Sequence, residues 1–353
     1  MRLLKKIILI SSASLIGLIS GWGQLVSQAA KAQADNNVGY SVEAQLPKNQ
    51  LNAKNSFFDL KMTPGQTETL NATIYNQTNR DIKVQVGIHT AWTNASGAID
   101  YTNVPKSFDR SLQYPMSQIS QLQGPKIITV AADSKKVVTT QVKIPKDAAD
   151  GVILGGWFFK RVDQKVTSTV KNANNIRSAY AYVIGMKYTI GTIPAPNLLL
   201  GKVDAGTYNY HRGIIVNLRN PKAVIIPNLK MDTKITSLSS GKVIKHLKQA
   251  NVQMAPNTDY RYPMLVEDAK LEAGRYHIHM VVKNSAHKWV FDRNFTITKQ
   301  AAKRANDAIA DQPSLNIWLL IGLGALSMLL LVLLIWLLIF WIKRRRRQTD
   351  DQA

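Results

Sequence analysis

The sequence predicts an all-β chain of two tandem antiparallel Ig-like β-sandwich domains, followed by one C-terminal transmembrane α-helix. Three observations support this prediction. Apolar and polar residues alternate over many short segments such as Ile82–His89, and a period of two places one face of a strand in a core and the other in water. Turn-forming clusters such as Pro64–Gly65 and Asn94–Gly97 separate these segments, which is typical of antiparallel sandwiches. Residues 317–342 form an uncharged apolar run near the C-terminus.

Residues 1–34 are predicted to be a secretory signal peptide. Met1–Lys6 is short and basic, Ile7–Ile19 is apolar, and the small residues Ala32 and Ala34 flank Gln33 at a cleavage site. Cleavage after Ala32 is the alternative to cleavage after Ala34. Either site gives an exported chain.

The N-terminal sandwich is predicted over residues 35–163. Leu70, Ala72 and Ile74 alternate with polar residues, and a second alternating segment runs from Val138 to Ile144. In the strand that follows Gly155–Gly156, Trp157 and Phe159 point to the same side. We expect both of these aromatic residues in the core.

The C-terminal sandwich is predicted over residues 164–298. Gln164–Asn175 is polar and rich in Asn, so we expect a loop there and place the domain boundary near residue 163. Ser178–Thr189 is then the first strand of the second domain. Each half has about 130 residues, which is enough to bury a core of its own.

The C-terminal segments predict a membrane anchor. Residues 299–316 are expected to form a stalk, and residues 317–342 are long enough, at about 39 Å, to cross a hydrocarbon core of about 30 Å. The basic residues 343–353 should remain cytoplasmic by the positive-inside rule. With the signal peptide, this predicts a single-pass type I membrane protein with an extracellular ectodomain. No Leu-Pro-x-Thr-Gly sequence precedes the apolar run, so covalent wall attachment is not expected.

The composition restricts the partners. The chain has 45 Lys and Arg against 22 Asp and Glu, a net charge of +23, and no Cys. Such a charge attracts polyanions, and for an exported bacterial domain these are anionic wall polymers and membrane lipids rather than nucleic acid. The lack of Cys excludes disulfides, thiolate catalysis and Cys-ligated metals. It also favours a Gram-positive surface over a disulfide-stapled secreted protein.

No catalytic or cofactor-binding pattern is present. Gly-x-Ser-x-Gly, His-Glu-x-x-His and phosphate-binding Gly-Lys-Ser/Thr sequences do not occur. His277 and His279 lie on the same side of a predicted strand, but their spacing identifies no third metal ligand. We therefore expect no enzyme activity, no cofactor and no metal site.

A ligand-binding site is predicted around the Asn94–Gly97 turn. Aromatic rings beside amide and basic side chains commonly hold sugar rings and peptide stems. The alternative for Trp92 is a place in the core, because it follows the Ile82–His89 strand. The candidate ligand-binding residues are Trp92, Asn94, Tyr101, Tyr114, Lys106 and Arg110.

The chain resembles the WxL-interacting proteins of Gram-positive cell surfaces. The first half is similar to their N-terminal peptidoglycan-binding domain in Leu46–Gln50, Phe57–Leu60, Thr63–Gln66, Asn76–Thr78, Ala91–Asn94 with Gly97 and Tyr101, and Gly155–Trp157. The second half is similar to their C-terminal host-binding domain in Ala179–Gly185, Met254–Asn257, Leu271–Tyr276, Trp289, Phe291 and Phe295–Ile297. The order of leader, two domains, span and basic tail also agrees.

The resemblance implies a non-catalytic surface protein that binds peptidoglycan and WxL-domain proteins, and also host extracellular matrix. Two other functions stay open. One is a chaperone-like assembly module that captures an exported partner by adding its strand to a sheet edge. The other is a cell-wall hydrolase with a pair of carboxylates that lacks a recognisable motif.

Overall fold

The computed structural model describes residues 39–163, 181–266, 269–308 and 317–350. The predicted signal peptide, residues 351–353 at the end of the predicted basic tail and the predicted junction loop Gln164–Asn175 lie outside the described residues. The side chains of the C-terminal helix are described over residues 321–341.

Two antiparallel sheets pack face to face in the N-terminal sandwich. Its strands are β1 (Tyr40–Gln45), β2 (Phe58–Met62), β3 (Thr67–Asn76), β4 (Ile82–Thr90), β7 (Ser120–Gln123), β8 (Ile127–Val130), β9 (Lys135–Lys143), β10 (Gly151–Arg161) and β11 (Ala181–Ile190), with a hairpin of β5 (Trp92–Thr93) and β6 (Ile99–Asp100) and a one-turn helix α1 (Met116–Ile119). The strand orders are β1-β3-β9-β7 and β2-β11-β10-β4-β8, in which only β2 and β11 run parallel.

The core between these sheets contains the residues that the alternation predicts. Leu70, Ala72 and Ile74 are fully buried on β3, and Trp157 and Phe159 are fully buried on β10. These core predictions are confirmed. Burying each such large side chain contributes about 1.5–3 kcal/mol of transfer free energy.

The predicted boundary near residue 163 does not divide the sheets. Strand β11, which we expected to begin the second domain, pairs with β10 along its whole length, from Gly151 opposite Ile190 to Lys160 opposite Ala181. Its residues Ile184, Met186, Tyr188 and Ile190 are buried in the N-terminal core. A period-two pattern shows that a segment is a strand but does not show which neighbour completes its hydrogen bonds, so this strand was assigned to the wrong sandwich.

The C-terminal sandwich is built from the sheets β12-β13-β16 and β15-β14-β17-β18. Its strands are β12 (Leu199–Tyr208), β13 (His211–Asn220), β14 (Ile226–Ser237), β15 (Val243–Met254), β16 (Thr258–Leu265), β17 (Gly274–Lys283) and β18 (Lys288–Ile297). The core includes Ile278, Met280 and Val282, which the alternation in β17 predicts.

The first half of the predicted stalk is a docked helix, α2 (Lys299–Asp307). Thr298 caps its N-terminus by accepting a hydrogen bond from the Ala301 amide, and Ala301, Ala302 and Ala305 are buried against the C-terminal core. Asn306 exchanges hydrogen bonds with the backbone of Leu271. Alanines at this spacing form a narrow apolar stripe. The Ala-rich segment, for which a helical or an extended stalk is predicted, is therefore helical over these residues and packs on the C-terminal sandwich.

The chain ends in a long helix, α3 (Ile317–Asp350). Its segment Ile321–Trp341 is long and apolar enough to cross a membrane and makes no buried contact with the sandwiches. This agrees with the predicted apolar C-terminal helix.

Candidate functional site

The hairpin that carries the predicted ligand residues is closed by its own asparagine. Asn94 Oδ1 accepts hydrogen bonds from the Ser96 amide at 3.0 Å, the Ser96 hydroxyl at 2.7 Å and the Ala98 amide at 3.2 Å. This is the local turn chemistry for which Asn is preferred. The Asn94 oxygen is therefore used to shape the turn.

The same hairpin docks on the C-terminal sandwich. The Ser96 carbonyl accepts from Gln249 Nε2 at 2.8 Å, and the Gly97 carbonyl accepts from the Gln253 amide at 2.7 Å. Gly97 has φ of +81°, and a Cβ there would lie 2.8 Å from a Val252 methyl. Only glycine combines this backbone conformation with so close an approach.

Thr93 adds a second set of contacts across the domains. Its hydroxyl accepts a hydrogen bond from the Ala255 amide at 3.0 Å, and its own amide donates to the Thr258 hydroxyl at 3.2 Å. The segment Ala91–Asn94 thus packs on Met254–Asn257, two of the sequence motifs that suggested the family. We call this contact region between the sandwiches, centred on Ala91, Thr93, Gly97 and Ala255, the interdomain joint.

A small apolar cluster fills the centre of the interdomain joint. Ala91, Val152 and Leu154 from the N-terminal sandwich are buried with Ala255 from the C-terminal one. Ile99, Tyr101 and Ile225 pack against them. The joint therefore has an apolar centre in addition to its backbone hydrogen bonds.

A bidentate ion pair lies beside this cluster. Arg219 Nε is 2.5 Å from Asp109 Oδ2, and its Nη2 is 2.7 Å from Asp109 Oδ1. Burial of the Asp109 carboxyl raises its pKa, but hydrogen bonds from Arg219 and Ser111 outweigh that effect and hold the pKa at about 2. Asp109 is thus a buried carboxylate that belongs to the joint.

The structure does not bring the six predicted residues together at one surface. Trp92 is half-buried, and its Nε1 donates to the Asn103 carbonyl at 2.8 Å. Tyr114 is half-buried, and its hydroxyl makes a long 3.5 Å contact with the Asp147 carbonyl. Lys106 and Arg110 are exposed on the following loop. Their roles in binding stay predictions.

Tyr101 is the predicted residue that reaches a sizeable groove. Burial raises the pKa of its hydroxyl, and its carbonyl accepts from His89 Nδ1 at 3.0 Å. The groove has a volume of about 630 Å³, which is within the range of small-molecule sites. We call it the β1–β11 groove. It is lined by Val42, Glu43, Ala44, Leu46, Ser56, Phe57, Tyr101, Leu154, Tyr182, Val183, Ile184, Gly185, Met186, Lys187 and Ile225.

The groove exists because strand β2 covers only part of β11. The parallel pairing runs from Phe58 opposite Met186 to Met62 opposite Ile190. Upstream of Phe58 the chain turns away, and Gln50 holds this turn by donating from its amide to the Phe57 carbonyl at 2.8 Å. Residues 181–185 of β11 therefore have no strand partner on the groove side within the described structure.

The groove combines aromatic walls with charged rims. Phe57, Tyr101 and Tyr182 provide rings, and Tyr182 is fixed by an edge-on contact with Tyr40 at 5.0 Å between centroids. At one rim Lys187 Nζ is 3.0 Å from the buried Asp59 carboxylate, and at another Glu43 accepts from the Tyr75 hydroxyl at 2.7 Å. Such a surface suits the apolar faces of sugar rings and the amides of a peptide stem.

Sequence reasoning missed Phe57, Tyr182 and Leu46 as groove residues. They come from three segments that are distant in the chain, and no spacing links them. All three do lie in the motifs that suggested the family, which was the only signal available.

The histidine pair behaves as the strand pattern predicts. His277 Nε2 and His279 Nδ1 both contact Asp292 Oδ1, at 3.1 and 2.8 Å. Among the described residues, no group of three or more His, Asp or Glu has the geometry to hold a metal ion.

Two family models match the chain. Residues 40–161 match the peptidoglycan-binding domain of the WxL Interacting Protein, and residues 171–307 match its host-binding domain. The boundary between the two models precedes β11, whereas the sheets place β11 in the first sandwich. No curated protein matches the chain in sequence.

The fold is also similar to solved chaperone structures at low identity. A chain of a chaperone–tip adhesin complex of CFA/I fimbriae is 10% identical, with 72% of this chain and 98% of that chain covered and a TM-score of 0.30. The YadV chaperone is 12% identical, with 73% and 99% covered and a TM-score of 0.28. The E. coli chaperone DraB is 13% identical, with 73% and 98% covered and a TM-score of 0.26. At these TM-scores the similarity supports no argument about function.

Proposed function

The chain belongs to the WxL-interacting protein family, and from this premise we propose that its N-terminal sandwich holds peptidoglycan in the β1–β11 groove. Both matched domains are named for binding, one to peptidoglycan and one to the host. The protein therefore has a binding role at the cell surface, with cell-wall and host partners. The groove is our assignment of where the wall contact is made.

The observation that carries this assignment is the convergence of three aromatic rings on one open groove. Tyr101, Tyr182 and Phe57 face the same space as Ser56, Glu43 and Lys187. Stacking on a ring needs no charge, so binding by this surface should resist salt. Binding by the basic surface alone should weaken as salt is added, because at 0.1 M salt the attraction between charges more than about 10 Å apart is largely screened.

We place the protein in the membrane as a type I, single-pass anchor with both sandwiches in the cell-wall zone. Support comes from the apolar segment Ile321–Trp341 and from the basic residues that follow it. WxL-domain proteins are the further partners that the family name suggests. Recognition without catalysis is the mechanism.

A second candidate function is capture of a partner strand, and the open half of β11 favours it. Unpaired backbone groups on a sheet edge are a template for strand addition. A captured strand would occupy the same groove as a glycan. The two functions are therefore distinguished by the ligand and not by the site.

The test is a pull-down of the full-length protein, in a nonionic detergent, on insoluble peptidoglycan with its anionic polymers removed. We expect retention at both low and about 0.5 M salt. Tyr101→Ala and Leu46→Ala should each weaken retention severalfold, because they remove groove walls. Tyr208→Ala, on the C-terminal sandwich, removes an exposed ring away from the groove and should have no effect.

Two results would decide against the glycan assignment. Retention lost at 0.5 M salt would leave only charge attraction. Retention by a WxL-domain protein but not by peptidoglycan, with the same dependence on Tyr101 and Leu46, would favour strand capture.

A further inference from the structure

The outer face of the β15-β14-β17-β18 sheet carries an unusual density of basic side chains. On β14 and β17 the inward residues, such as Met231 and Ile278, are buried in the core. The outward positions of the four strands are mainly polar. Their charged members are Lys230, Asp232, Lys234, Lys248, Arg275, Lys283, Lys288 and Asp292.

Three of these lysines stand directly opposite one another across three strands. Lys230 pairs with Lys283, and Lys283 pairs with Lys288. Directly opposed residues in antiparallel strands have Cα atoms about 4.5–5.5 Å apart. All three are exposed, and none forms an ion pair with a carboxylate in the described parts of the chain. We call Lys230, Lys283 and Lys288 the lysine row.

The lysine row costs stability in the free protein. Like charges directly opposite each other on a sheet are destabilising. The two carboxylates on this face do not relieve the repulsion. Asp232 is bound by His246 at 2.7 Å and Lys248 at 3.5 Å, and Asp292 is bound by His277 and His279.

A depression of about 380 Å³ adjoins the lysine row. Lys230, Lys283 and Lys248 border it together with Asp232, whose carboxylate is paired with Lys248, and Ala250 and Val281 contribute apolar surface. The β14–β15 register is interrupted on either side of Leu229, next to Asn228 and Asn251, which both have positive φ. Bulges of this kind bend a sheet and often occur near binding sites.

We propose that the lysine row and its depression bind a linear polymer joined by phosphodiester groups. All the cations that border the depression are lysines, whose compact ammonium groups bind phosphate as point charges, whereas planar carboxylates favour the fork of arginine. A row across three strands matches an extended chain with regularly spaced charges. The apolar floor accommodates the aliphatic carbons between phosphates. This inference relies on the proposed location in the cell-wall zone but not on the β1–β11 groove.

The test measures binding of the full-length protein in nonionic detergent to poly(glycerol phosphate), as a function of salt. For a flexible polyanion each lost phosphate contact lowers the slope of log affinity against log salt by about 0.7. The triple variant K230Q/K283Q/K288Q should therefore lose about 2 from that slope and bind at least 10-fold more weakly at low salt. The charge-matched control K126Q/K135Q/K136Q, on the N-terminal sandwich, should bind as the wild type does.

Thermal melting separates a binding defect from misfolding. Removing opposed like charges should leave the melting temperature of K230Q/K283Q/K288Q unchanged or higher. Poly(glycerol phosphate) should raise the melting temperature of the wild type and not of this variant.

Four results would overturn the proposal. The first two are an equal loss of polymer affinity in the two triple variants and unchanged polymer binding by K230Q/K283Q/K288Q. The third is tighter binding of the protein to heparin than to poly(glycerol phosphate). The fourth is lysine-dependent binding to anionic lipid vesicles without binding to the free polymer. Peptidoglycan retention in the same variants should be unchanged. A failure of the polymer site is thereby distinguished from a failure of the proposed wall contact.

Discussion

Replacing Arg219 by Met tests whether the two sandwiches unfold as one unit. The substitution removes the guanidinium that binds both Asp109 oxygens at 2.5 and 2.7 Å and leaves a carboxylate whose side chain is only 5% exposed. Breaking a buried ion pair from one side costs about 3–5 kcal/mol. Asp109 keeps two hydrogen bonds from Ser111, so we expect about 2–3 kcal/mol.

Calorimetric unfolding of the full-length protein in detergent measures this effect. A cost of 2–3 kcal/mol corresponds to a fall of roughly 5–10 °C in the melting temperature for a unit of this size. Because the ion pair joins the domains, we also expect one transition to broaden or divide into two. D109N/R219M should recover part of the loss, since it leaves no unpaired charge in the joint.

The pH dependence gives an independent check on the same pair. The folded-state pKa of Asp109 is about 2, below the ordinary value of 3.8, so its stabilising contribution is present above about pH 4 and is lost as pH falls towards 2. Asp259 acts in the opposite sense, because burial and the Asp109 charge raise its pKa. The comparison is therefore between wild type and D109N, whose stability should fall less steeply between pH 4 and 2. Identical melting for wild type and R219M, together with identical pH profiles for wild type and D109N, would refute the reasoning.

Two further substitutions probe the packing of the hairpin and of the C-terminal helix. Gly97→Ala should destabilise the joint by more than 1 kcal/mol in urea unfolding, because it adds strain at positive φ to a 2.8 Å clash with Val252. Gly241 has a similar φ but no atom within 4 Å of an added Cβ, so Gly241→Ala should cost only about 1 kcal/mol. Equal costs for the two variants would contradict the interdomain contact. Ala302→Glu places a charge at a buried position of the helix Lys299–Asp307 and should make this segment sensitive to limited proteolysis. Lys303→Glu, on the exposed side of the same helix, should leave it protected. Protection of both variants would show that the helix does not need its buried face.

Local patterning was enough to identify several of the strands. Ile82–His89 was predicted from strict alternation and is observed as Ile82–Thr90. The aromatic pair Trp157 and Phe159 was placed in the core for the same reason. A strand buried on one face must alternate in any tertiary context, so this signal is contained in a few consecutive residues.

The sequence signal for the predicted ligand site mixes two causes. Asn94 and Gly97 stand out in the sequence, but the structure uses them to shape a turn and to approach the C-terminal sandwich. Tyr101 does line a groove. Residues that hold two domains together and residues that bind a ligand have similar composition, and one sequence does not separate them.

The sequence by itself determined the period of the strands with clear alternation, the apolar C-terminal helix, the basic charge and the family. These properties depend on neighbouring residues or on residue totals. Only the tertiary structure decided that β11 completes the first sandwich, that Ala91–Asn94 packs on Met254–Asn257, and that Lys230, Lys283 and Lys288 form one row. Each of these depends on which strands become neighbours, and that choice is made by the packing of whole sheets over long sequence separations.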